Sequence, residues 1–141
     1  MKVFFKKSVF VGINVVLPLV WGLGFYLVMR ENSWITRNLT GGTGVPSFLK
    51  ENCRFLFPFE GHLADFLWAY SLTFVLGIIL EIKPAIILAV AVETILELIQ
   101  LSPAIHMTFD VFDIVAEVLA TVLASLIVIL YRRRYSYEKI Q

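Results

Sequence analysis

Six acidic residues carry most of the chemistry available to this sequence. Asp65, Glu93, Glu97, Asp110, Asp113 and Glu117 lie inside or at the edge of long apolar runs, where no Lys or Arg accompanies them. Glu93, Glu97 and Gln100 recur at i, i+4, i+7, and Asp110, Asp113 and Glu117 at i, i+3, i+7, so each set makes a stripe along one helix face. A carboxylate at the centre of a membrane helix costs on the order of 2.5–3.5 kcal/mol to insert, so such groups face a bundle interior or a water cavity and mark function. Gathered at low dielectric they do not all ionise. They share protons, bind a cation or receive a basic group from elsewhere.

The elements that position these acids follow from composition. Of 141 residues, 59% are hydrophobic and 16% charged, and mean hydropathy is +0.83. Soluble domains run at roughly 45–50% and about 25%, so disorder, a basic nucleic-acid binder, a coiled coil and most soluble enzymes are excluded. Apolar runs at about 8–29, 63–80, 84–101 and 109–131 reach or approach the roughly 20 residues that cross a bilayer. The expected fold is all-α, an integral membrane four-helix bundle with residues 1–141 as one domain. The first run follows Lys2, Lys6 and Lys7 as a signal peptide would, but has no A-x-A type cleavage site, and reads as an uncleaved helix. Pro18 is tolerable in it, because neighbouring groups can satisfy the freed carbonyl.

Residues 30–61 are polar at first, with Gly41-Gly42-Thr43-Gly44 and Pro46 marking an irregular loop. Phe55-Leu56-Phe57-Pro58-Phe59 suits a membrane interface. Glu81-Ile82-Lys83-Pro84 reads as a turn between the second and third runs. With four spans, eight of the twelve cations fall on the face holding both termini and Lys83, and four in the 30–61 loop. Cations are retained on the cytoplasmic side, which predicts cytoplasmic termini and a long extracytoplasmic loop between helices 1 and 2. Cys53, the only cysteine, forms no internal disulfide.

A hairpin turning near residue 105 levels Gln100 with Asp110, Glu97 with Asp113, and Glu93 with Glu117. Ala85 and Ala89, and Ala120 and Ala124, extend the two stripes with small residues that permit close helix approach. His62 and Asp65 begin the second run on the same side, His106 sits in the outer turn, and Arg37, Lys50 and Arg54 are available from the loop. The expectation is one outward-facing acidic vestibule, with Glu97, Gln100, Asp110, Asp113, Asp65, His62, Glu93 and Glu117 as its ligand-binding residues. A hydrogen-bonded seam fixing helix register is the plainer reading. Interhelical bonds averaging about 0.6 kcal/mol justify one or two such residues rather than six.

At these residues the chain resembles the VanZ-like family of small bacterial membrane proteins. The likeness lies in Glu97-x-x-Gln100, a short turn, and Asp110-x-x-Asp113 leading into the last helix. His62-Leu63-Ala64-Asp65-Phe66-Leu67-Trp68-Ala69-Tyr70 is similar to the family's second-span entry. Met107 stands where the family tends to carry Arg, Glu117 where it carries Asn, and Ala120 where it carries Gly. The resemblance implies a multi-pass protein of the bacterial plasma membrane, linked through the founding member to low-level resistance against lipoglycopeptides such as teicoplanin. It implies no mechanism and no cofactor.

Three function classes remain open. The first is a binding protein that engages a cell-envelope lipid intermediate or an amine-bearing amphiphilic glycopeptide. The second is a membrane-embedded metal-dependent hydrolase or transferase in which Glu97, Asp110 and Asp113 hold a divalent cation and His62 or Glu93 moves protons, although no H-E-x-x-H spacing occurs. The third is a proton- or cation-coupled transport component, for which four helices call for a homo-oligomer. Nucleic acid is not an expected partner; the lipid bilayer is.

Overall fold

The computed structural model describes residues 2–29, 38, 41, 51, 62–100 and 110–137, with the side chains of 2–7, 29, 100 and 135–137 excepted. The expected 30–61 loop as a whole, the turn around His106 and Met107, and the loop cations Arg37, Lys50 and Arg54 lie outside the described residues. Among the described residues four long helices make up the fold: α1 (Lys2–Met29), α2 (His62–Ile79), α3 (Ile82–Gln100) and α4 (Val111–Tyr137). Among the described residues there is no strand.

Three helices are long and apolar enough to cross a membrane, over Ser8–Val28, His62–Ile79 and Val111–Arg134. The third apolar run falls short of that standard, because α3 carries Lys83, Glu93 and Glu97 within its 19 residues. Large apolar side chains nevertheless point outward from every helix, among them Val16 and Val20, Ile79, Ile87 and Leu98, and Val118 and Leu126. An apolar sheath around a partly polar interior is the reverse of a water-soluble domain, where polar groups supply the surface.

The helix ends differ from those expected. Only Leu80 and Glu81 separate α2 from α3, so Lys83 and Pro84 fall inside the first turn of α3, where a missing N–H has no intrahelical partner to lose. The chain closes on itself there through Leu80 N–H to Leu76 O at 2.8 Å and Ala85 N–H to Glu81 O at 3.0 Å. At the same end Arg132 donates to Gly77 O at 2.5 Å and to Leu80 O, so a cation from α4 satisfies the orphan carbonyls that end α2.

α2 is the central helix. It packs most extensively on α4 and also on α1 and α3, while α3 packs on α4. The α2–α4 seam is built from Ala69, Tyr70, Phe74, Ala120, Ala124 and Val128, all buried. A Cβ on Gly77 would lie 3.1 Å from a Val128 methyl, so the smallest residue admits the closest approach in this seam. α1 is tied on by Tyr70 Oη, which donates to Asn14 Oδ1 at 2.5 Å, while Asn14 Nδ2 donates to Phe10 O at 2.8 Å. Phe10 stacks on Tyr131 with ring centroids 4.7 Å apart. The four alanines expected to line the α3–α4 approach, Ala85, Ala89, Ala120 and Ala124, are fully buried.

Candidate functional site

The acids gather at the end of the bundle where α2 starts and α3 ends. Glu97, Asp113, Glu93 and Glu117 are 3%, 2%, 5% and 9% exposed, although carboxylates are among the residues least often buried. Their burial follows from the heptad-like spacing read in the sequence: the same face of α3 that buries Ala85 and Ala89 buries Glu93 and Glu97, one and two turns further on. On α4 the buried face runs Asp113, Glu117, Thr121, Ser125, one residue per turn.

The contacts divide these residues into two groups. Asp113 Oδ1 lies 2.6 Å from His62 Nδ1, and the His62 ring centroid lies 5.8 Å from that of Phe112. Asp110, just ahead of α4, accepts the Phe112 N–H on Oδ1 at 2.9 Å, and its carbonyl accepts the Asp113 N–H at 3.0 Å. It therefore acts as the helix N-cap, a role that favours Asp by about 1 kcal/mol over Ala and engages the carboxyl in structure.

The second group is deeper. Asp65, Glu93, Glu97 and Glu117 line a cavity of about 450 Å³ whose remaining walls include Leu19, Trp68, Leu72, Val75, Val92 and Leu96. Glu117 lies within Coulombic reach of Glu93, Glu97, Asp65 and Asp113. Glu93 Oε2 accepts from Thr121 Oγ1 at 3.4 Å, and Thr121 lies 3.1 Å from Thr73 Oγ1. Glu93 Oε1 is buried and meets no hydrogen-bond donor among the described residues. No Lys or Arg among the described residues lines the cavity, and among them no three His, Cys, Asp or Glu side chains are grouped to hold a metal ion.

Glu93 lies within Coulombic reach of Glu117, with which the hairpin levels it, and its carboxyl also accepts from Thr121, the next polar residue along the same face of α4. Asp113 makes its close contact with His62 on α2. The Gln100 side chain lies outside the described residues. Sequence reasoning missed Thr73, Thr121 and Ser125 as parts of the polar face and gave Trp68 no place at the site. The i, i+4 continuation from Glu117 through Thr121 to Ser125 was the available signal; nothing in the sequence placed Leu19 or Trp68 at a cavity.

A cavity of this size falls within the roughly 300–1,000 Å³ of ligand pockets, and mostly apolar walls with a few convergent polar groups are their usual make-up. Its chemistry is that of a cation or hydrogen-bond donor site with an apolar surround. No family model, curated protein or solved structure matches the chain significantly.

Proposed function

We propose that the chain is a multi-pass protein of the bacterial plasma membrane whose acidic cavity opens in the outer half of the bilayer and binds a cell-envelope lipid intermediate or an amphiphilic glycopeptide. The observation that carries this reading is the convergence of Asp65, Glu93, Glu97 and Glu117, from three helices, on one apolar-walled cavity. A register-fixing seam has no use for four carboxyls around an open space. In this reading α3 crosses the membrane with the others, since its charges Glu93 and Glu97 are turned inward while Ile87, Leu88, Ile95 and Leu98 face out. Both termini are then cytoplasmic, in keeping with the eight cations on that side. The VanZ-like resemblance adds lipoglycopeptide protection as the physiological outcome.

The test is lipoglycopeptide susceptibility of a bacterium expressing the chain, read beside the amount of protein in its membranes. The parent protects. Glu97→Gln and Glu117→Gln, which keep size and hydrogen-bonding capacity but remove charge, lose protection at equal accumulation. Amide variants that protect as well as the parent reduce the acids to scaffolding, and a parent without effect removes the resistance reading.

The His62–Asp113 contact favours a second reading. A buried carboxylate that orients a partly exposed imidazole is the arrangement of a general acid–base pair, as a membrane-embedded hydrolase or transferase would need. Turnover of a co-purifying lipid, lost in His62→Gln with the lipid still bound, distinguishes this reading from binding alone.

A further inference from the structure

The cavity is open on the flank of the bundle. Trp68 of α2 and Leu96 of α3 line it yet remain 50% and 54% exposed. Both sit inside their helices, Trp68 about 9 Å along α2 and Leu96 about 6 Å short of the end of α3 at roughly 1.5 Å per residue. Among the described residues α1 and α3 each pack on α2 without extensive contact with one another, and Leu19 is the α1 residue on the cavity wall. The gap between α1 and α3 therefore opens onto the apolar sheath. At its edge a Cβ on Gly22 would lie 2.8 Å from Trp68 Cδ1, so the glycine lets the indole seat against α1 beside the mouth.

The inner end has the opposite character. Glu93 is 5% exposed, and its Oε1 is without a hydrogen-bond donor among the described residues, a costly state for a buried carboxyl that a donor in the cavity relieves. Asp65, Glu97 and Glu117 share the cavity with it. Four carboxyls repel an anionic head group, whereas an ammonium supplies up to three donors and a countercharge. Leu72, Val75, Val92 and Leu96 give the wall an apolar track, and the stretch from Asp65 to Val75 spans about 15 Å along α2, half of a hydrocarbon core of about 30 Å.

We propose that this cleft binds an amphiphile bearing a primary amine on an alkyl chain, admitted sideways from the bilayer between α1 and α3, with the ammonium donating to Glu93 and the chain lying along Leu72, Val75, Val92 and Leu96. The inference rests on the binding reading above and narrows its ligand class to cationic heads, excluding polyprenyl phosphates from this cavity. The volume of about 450 Å³ suits one head and part of one chain.

The experiment uses the full chain with Trp21→Phe and Trp34→Phe, leaving Trp68 as the only tryptophan, in phosphatidylcholine vesicles, whose lipid carries no primary amine. Dodecylamine, dodecyl phosphate and spermidine are titrated in turn while Trp68 emission is followed. Dodecylamine is expected to give a saturable shift that dodecyl phosphate does not give. Glu93→Gln weakens it at least tenfold. Leu96→Trp, followed by competition against a spin-labelled dodecylamine, also weakens it by narrowing the mouth without touching charge, and serves where Glu93→Gln fails to accumulate. An equal response to dodecyl phosphate, no saturable response to dodecylamine, or full affinity in both variants overturns the proposal. An equal response to spermidine shows an amine site reached from water and overturns entry from the bilayer. A parent that protects cells but ignores dodecylamine sinks this inference and spares the function proposed above; dodecylamine binding without protection does the converse.

Discussion

His62 Nδ1 and Asp113 Oδ1 lie 2.6 Å apart, joining the first residue of α2 to the first turn of α4. Asp113 is 2% exposed, so its carboxyl has exchanged water for this contact. His62→Ala removes the partner and leaves a buried acceptor, which is expected to cost roughly 1–3 kcal/mol; His62→Gln, which keeps a side-chain donor, recovers part of it. Thermal unfolding in detergent reads the difference. Equal stability of His62→Ala and the parent shows that the contact contributes nothing to the fold.

Arg132 supports the opposite end. Its guanidinium caps α2 through the carbonyls of Gly77 and Leu80, whereas Arg133, the next residue, is exposed. Arg132→Gln should lower stability by about 1–2 kcal/mol through loss of charged hydrogen bonds to orphan carbonyls. Arg133→Gln should stay within about 0.5 kcal/mol. Matching losses in the two variants indicate a general charge effect and remove the cap.

The α2–α4 seam tolerates little added volume. Ala120 is fully buried in it, and Gly77 meets Val128 at close range. Ala120→Leu is expected to cost at least about 1–3 kcal/mol by overpacking and to reduce the protein accumulated in membranes. Leu119→Ala, on the exposed side of the same helix, is the control. Normal accumulation of Ala120→Leu argues against the seam as drawn.

The existence of four helices was legible because each apolar run approaches bilayer length, and the burial of Ala85, Ala89, Glu93 and Glu97 followed from one spacing on one helix. Relations between helices were less legible. The spacing within α3 and α4 says which residues share a face but not which helix that face meets. The expected vestibule drew on α2 through His62 and Asp65, and the cavity takes Asp65 together with Trp68 from that helix; the direct His62–Asp113 contact was not legible from spacing. Asp110 looked like its neighbours in sequence, yet its place immediately before Val111 makes it a cap. A carboxylate at a helix start and one within a helix read alike until the helix boundary is fixed.

The crossing of α3 is the remaining prediction, and the one on which the orientation of the acids depends. Lys83, Glu93 and Glu97 hold α3 below the apolarity of a typical span. Burial of the two acids removes their contact with lipid, so the helix crosses if the bundle forms before, or together with, its insertion. Its two ends then lie on opposite sides. In a Cys53→Ser background, a cysteine replacing exposed Glu81, in the α2–α3 turn, should react with a membrane-impermeant maleimide only after the cells are opened. A cysteine replacing Ser102, beyond the other end, should react in intact cells. Labelling of both from the same side shows that α3 does not span, and labelling of Glu81→Cys alone in intact cells inverts the bundle and turns the acidic cavity toward the cytoplasm. The cation asymmetry argues against inversion, because it would put eight of the twelve Lys and Arg outside.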